Sequence, residues 1–228
     1  MNQKPELILA LDVDNFSKAK YFVDKIYPEI NFFKVGLQLF TACGPKVIEF
    51  IQKKGAQVFL DLKFNDIPNT MVNATKEAIK YKVSLLTVHT LSGPTALKEI
   101  SRASSKSKTK ILGVTLLTSI CPHFLKDLGI KRTLSQEVLY LARMAKRCGL
   151  DGVVCAAQEA QDIRRHLGKN FLIVSPGIRP KGFFSDDHSR TATIEAAQTA
   201  GVNYIVIGRP ILKAKNPLMA ARKMRKNL

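Results

Sequence analysis

Acidic residues are scarce in this sequence: 18 Asp and Glu stand against 36 Lys and Arg, a formal net charge of +18. A field of that sign attracts polyanions and small anions. The features of a nucleic-acid reader are missing, with no RGG tract, no basic helix interleaved with aromatics and no zinc-finger spacing. The cations are spread along the chain and denser at SSKSKTK (104–110) and RKMRKNL (222–228), which read as solvated surface. The excess argues weakly for nucleic acid and better for a phosphorylated substrate.

Cysteine is also sparse. Cys43, Cys121, Cys148 and Cys155 form no CxxC and no metal-like spacing, as expected of reduced thiols in a cytoplasmic protein. No apolar run approaches the roughly 20 residues that cross a bilayer. The start, MNQKPELILALDVD, lacks the basic region and long apolar core of a signal peptide. No Pro/Gly/Ser linker divides the chain, so residues 1–228 read as one domain.

What is present is a repeated pattern. Short apolar segments recur at 7–13, 32–36, 57–63, 85–90, 110–117, 152–156, 171–177 and 204–210. They are nearly continuous runs of Val, Ile, Leu and Phe, as in parallel strands covered on both faces. Helix-like stretches lie between them. SKAKYFVDKIYPEI opens with Ser17 as the expected N-cap, and GPKVIEFIQKKG has Pro45 early and Gly55 at its end. Strand then helix, eight times over about 200 residues, predicts an α/β fold, a (β/α)8 TIM barrel.

Active sites of such barrels lie at the C-terminal ends of the strands. Those ends carry Asp12, Lys34, Asp61 with Lys63, His89 with Thr90, Thr118 with Ser119, then Pro176, Gly177 and Arg179, and last Gly208 and Arg209. The sixth strand ends CAAQE, with little ionisable chemistry. SPGIRP and VIGRP place a glycine and an arginine fork after strands 7 and 8, where barrels often hold phosphate. In DLKFNDI, strand alternation puts Asp61 and Lys63 on one side, at the mouth, and Asp66 in the following loop. Neighbouring carboxylates favour an ammonium group, which suits Lys63 to give a proton. Asp12 and Lys34 extend this to an alternating array, and Asp14 faces away or begins the loop. His89 reads as packing beneath the site. A Ser119–His89–Asp61 triad lacks its GxSxG elbow. Mg²⁺ at Asp12 and Asp14 would compete with a nearby lysine.

LALDVD, KVG, DLKFNDIPNT, LLTS, PGIRP and VIGRP, in this order and at these intervals, resemble the bacterial orotidine 5′-phosphate decarboxylases from about residue 6 to about residue 220. The resemblance implies a homodimeric barrel that converts orotidine 5′-monophosphate (OMP) to UMP and CO2, the last step of de novo pyrimidine synthesis, without metal or organic cofactor. It implies that Lys63 protonates C6 and that Asp61 sits near the substrate carboxylate. Asp66 would reach the neighbouring subunit's site, and Lys34 would complete the charged array. Asp12 and Thr70 would bind ribose, Ile67 would line the CO2 pocket, and Thr118 or Ser119 would contact the ring. Arg179, Gly208 and Arg209 would hold phosphate. At one place the sequence departs from the family. Where bacterial members usually carry a glutamine bridging phosphate and base, this chain has His188, which can donate to phosphate but cannot reproduce both hydrogen bonds of an amide. Residues 178–193 are the expected lid. The alternatives are a Mg²⁺-dependent sugar-phosphate decarboxylase or aldolase sharing DxKxxD, and a basic barrel that binds RNA without chemistry.

Overall fold

The computed structural model describes residues 4–180 and 190–228. Eight strands close into one all-parallel barrel in sequence order: β1 (Glu6–Ala10), β2 (Phe32–Gly36), β3 (Gln57–Phe64), β4 (Leu85–His89), β5 (Lys110–Val114), β6 (Gly152–Val154), β7 (Leu172–Ser175) and β8 (Tyr204–Ile207). The register runs around the ring and ends with β8 beside β1, Tyr204 opposite Glu6. Each of the eight apolar segments holds a strand, and the (β/α)8 expectation stands. Outside the ring lie α1 (Phe16–Ile26), α2 (Leu37–Cys43), α3 (Lys46–Lys53), α4 (Pro68–Lys80), α5 (Gly93–Ser104), α6 (Pro122–Asp127), α7 (Leu134–Arg147), α8 (Ala157–Leu167), α9 (Ile194–Thr199), α10 (Arg209–Leu212) and α11 (Pro217–Lys226). No helix among the described residues is long and apolar enough to cross a membrane.

The continuous hydrophobicity of the strands follows from their two covered faces. Leu9, Phe33, Val58, Leu60, Leu86 and Ile205 point outward against the helices. Ile8, Phe32, Phe59, Leu85, Leu112, Val174 and Val206 point inward and plug the barrel, where Phe32 meets Tyr204 edge to face at 5.8 Å. Side chains alternate along a strand, so the residue two past an inward apolar one lies above the plug. Those residues are Asp12 after Ala10, Lys34 after Phe32, Asp61 after Phe59 and Thr87 after Leu85. One alternation thus builds both the oily floor and the charged mouth.

The helix boundaries correct one expectation. The cap of α1 is Asn15, whose side chain accepts from the Lys18 N–H, and not Ser17. Asn15 has the extended backbone that a cap needs, whereas Ser17 already lies inside the helix. Thr133 and Gln136 form a reciprocal capping box on α7. The basic stretch 222–228 falls largely on α11, where Arg222 and Arg225 reach Glu29.

Candidate active site

Asp12, Lys34, Asp61 and Lys63 line a cavity of about 540 Å³ at the C-terminal end of the barrel. Its floor is Ala10, Phe59, Val114, Val154 and Val206. The charged groups alternate in sign. Lys34 Nζ lies 3.0 Å from Asp12 and 3.7 Å from Asp61, and Lys63 Nζ lies 2.8 Å from Asp61. Burial opposes the Lys34 ammonium, but Asp61 and Asp12 outweigh it and raise its pKa. Burial likewise pushes the Asp61 carboxyl up, but Lys34 and Lys63, with hydrogen bonds from Lys63 and Thr87, hold it below the usual range. Gly36 makes room for this array, since a Cβ there would stand 2.8 Å from Lys34 Nζ.

Asp61 and Lys63 meet at the mouth as expected, but simple alternation is not the reason. Between Leu60 and Phe64 the register slips: Leu60 pairs with Leu86 and Phe64 with Val88, so β3 spends two more residues than β4 over this span. Lys63 takes a left-handed backbone, φ +50°, uncommon for a residue with a side chain. Thr87 fills the slipped ladder. Its Oγ1 accepts from the Lys63 N–H (2.9 Å) and donates to Asp61 (3.0 Å). Thr87 lies inside β4 and not at its end, where the sequence points to Thr90. Thr90 is buried and donates to the Val114 carbonyl, away from the array.

Pro176, Gly177, Arg179, Gly208 and Arg209 also line the cavity, as do Thr118 and Ser119, and Gly208 lies beside Asp12, where a Cβ would stand 3.4 Å from its carboxylate. Gly177 has φ +75°, a conformation that favours glycine. Lys213, at the end of α10, also lines the cavity. It escaped the sequence reading because it lies beyond the strand end. The one cavity therefore combines glycine and guanidinium groups suited to an anion with ammonium groups beside carboxylates over an apolar floor.

Other candidates lie elsewhere. Asp66, Ile67 and Thr70 are exposed and do not line the cavity; the Asp66 carboxylate accepts the N–H of Ile67 (2.7 Å). Asp14 turns outward to Lys18. His89 is half-buried, and its Nδ1 accepts the Leu91 N–H (3.3 Å). Burial, then Lys63, lowers its pKa, which favours a neutral ring. His188 and most of the expected lid lie outside the described residues. The CAAQE stretch is less inert than it read: Glu159 is buried and pairs with Arg190 at 2.6 Å.

The sequence profile of the orotidine 5′-phosphate decarboxylase / HUMPS family matches residues 5–224. The chain belongs to this family. A relative named orotidine 5′-phosphate decarboxylase, from Geobacter sp. (strain M21), is 42% identical over 225 residues, 96% of this chain and 94% of that protein. The crystal structure of orotidine 5′-phosphate decarboxylase from Lactobacillus acidophilus superposes with a TM-score of 0.86 at 36% identity, covering 98% of both chains. That of orotidine 5′-monophosphate decarboxylase from Methanocaldococcus jannaschii, complexed with inhibitor BMP, gives a TM-score of 0.80 at 25% identity, again covering 98% of both chains.

Proposed function

We propose that this chain decarboxylates orotidine 5′-phosphate to UMP and CO2, the last step of de novo pyrimidine nucleotide synthesis. Family membership over nearly the whole chain supports the reaction. The observation that carries the assignment of roles is that the Asp12–Lys34–Asp61–Lys63 array lines one cavity together with Arg179 and Arg209.

The phosphate is held by Arg179, Gly208 and Arg209, and the ring lies along Thr118 and Ser119 with Pro176 beside it. Asp12 takes a ribose hydroxyl. The C6 carboxylate then sits near Asp61. Breaking its C–C bond leaves an electron pair on C6, and CO2 departs over the apolar surface. A fixed cation beside that carbon stabilises the charge most when it need not move. Lys63 is such a cation, held 2.8 Å from Asp61, and its N–H transfers the proton to C6. Repulsion between Asp61 and the substrate carboxylate would add ground-state strain. Phosphate contacts remote from C6 supply binding energy that orders the site. His188 is proposed as a further phosphate donor. Lys34 stands between Asp12 and Asp61, the place a divalent ion bridging those acids would need, which favours chemistry without metal or cofactor.

The working unit is proposed to be a homodimer in the cytoplasm, each subunit a single domain over residues 1–228, with no nucleic-acid or membrane partner. Asp66, Ile67 and Thr70 act at the neighbouring subunit's site. Leu37, Ile67 and Leu91 support this, since each is more than half exposed just after β2, β3 or β4, three strands adjacent in the ring, and exposed apolar surface marks interaction sites. The test is an absorbance assay of the purified chain with OMP, with and without EDTA. Turnover indifferent to EDTA is expected. No turnover of OMP would refute the reading and leave the metal-dependent sugar-phosphate enzyme as the rival, and OMP turnover abolished by EDTA would refute the metal-free mechanism.

A further inference from the structure

The segment after β7 has Arg179 near one root and Arg190 near the other. The roots are tied together. The Arg179 N–H donates to the Ala192 carbonyl at 2.9 Å, and Ile178 pairs with Ala192 in an isolated bridge. Arg190 does not line the cavity. Its side chain is 13% exposed and meets Glu159, 5% exposed, at 2.6 Å. Another guanidinium nitrogen donates to the carbonyls of Leu117 (2.8 Å) and Leu116 (3.4 Å). Those two residues line the cavity and immediately precede Thr118 and Ser119. One planar fork therefore joins the root of the β7 segment, the first turn of α8 and the backbone beyond β5.

Stability alone is a poor account of this pair. Glu159 Oε2 and Arg190 Nε are buried without hydrogen-bond partners among the described residues, and a buried ion pair with unmade bonds is often no better than an apolar pair of the same size. An apolar pair, however, could not grip two backbone carbonyls. We propose that Arg190 is a positioning residue: it holds the Leu116–Ser119 segment at a set place relative to the phosphate-side arginine Arg179, with Glu159 fixing its guanidinium. The two ends of one ligand would then be received by backbone segments whose spacing Arg190 sets. This rests on the decarboxylase reading for its kinetic consequence, but not for its structural one.

Arg190→Lys tests it, because lysine keeps a cation opposite Glu159 but loses the fork. Hydrogen exchange in the peptide covering Leu116–Ile120 should accelerate about tenfold, and kcat/KM for OMP should fall about ten- to a hundredfold per folded molecule, as for loss of charge-assisted hydrogen bonds. A merely structural pair would lower Tm and leave both quantities at parental values, and that result overturns the proposal. Faster exchange with parental kcat/KM also overturns it. If the parent chain does not turn over OMP, the decarboxylase reading fails and the exchange measurement decides the strut. If Arg190→Lys does not fold, Glu159→Gln, which frees the guanidinium from its anchor, is read by the same two measurements and the same criteria.

Discussion

Lys63 combines a poor backbone with a good position. A left-handed conformation costs a non-glycine residue on the order of 1–2 kcal/mol, and here the Thr87 hydroxyl holds the Lys63 N–H in that shape. The strain places Nζ against Asp61. Two substitutions separate backbone from side chain. Lys63→Ala should lower kcat by at least about a thousandfold, as expected when a proton donor and its charge are both lost, while UMP still binds. Lys63→Gly should be as inactive, yet more stable than Lys63→Ala by about 1 kcal/mol in urea denaturation, because glycine accepts positive φ. Substantial residual turnover in either variant would remove Lys63 from the chemistry. Equal stability would mean that the backbone is not strained. The charges of DLKFNDI were readable as a cluster from the sequence. The bulge that unites them was not, because a register slip is a relation between two strands and leaves no mark in one.

The strands and their order were readable because each apolar run is covered on both faces and each ends in polar residues. Interior alternation marks Thr87, two residues past Leu85, whereas the polar end of the same strand carries His89 and Thr90. The short α2 left no mark because it begins directly after β2 with no polar break, and the role of Glu159 left none because its partner lies 31 positions away. The array at the mouth carries its own pH dependence. Asp61 has a lowered folded-state pKa, so its stabilisation is present above the unfolded carboxylate value of about 4 and is lost as pH falls through the folded value. Lys34 has a raised pKa, so its contribution is present below about 10.4 and is lost as pH rises through the folded value. From about pH 5 to about pH 9 the array should contribute a constant amount. Denaturant titrations of the parent and Asp61→Asn should show a stability gap that is flat across that window and shrinks toward acid. A gap that widens toward acid would reverse the assignment.

The proposed dimer belongs to the molecule as a whole, because Asp66 is exposed in the single chain and stands outside the cavity. If it serves the neighbouring subunit, Lys63→Ala and Asp66→Asn chains, each nearly inactive alone, should regain up to about a quarter of parental activity when mixed and allowed to exchange subunits. Mixed dimers would then hold one site with both native residues, as two-fold symmetry requires. No recovery after confirmed exchange would place Asp66 in its own subunit's chemistry or outside it.

Closure of β1 onto β8 has a consequence for how the protein is made. The residues proposed to hold the sugar and the reacting carbon lie on β1 to β3, whereas Gly208 and Arg209 follow β8, the last strand to leave the ribosome. Contacts so distant in sequence form slowly. A nascent chain carrying Asp12, Lys34 and Lys63 has no partner for the edge of β1 and no complete anion site until residue 209 has emerged. Nucleotide in the cell therefore cannot stabilise the partly made barrel, and it can favour only the finished one.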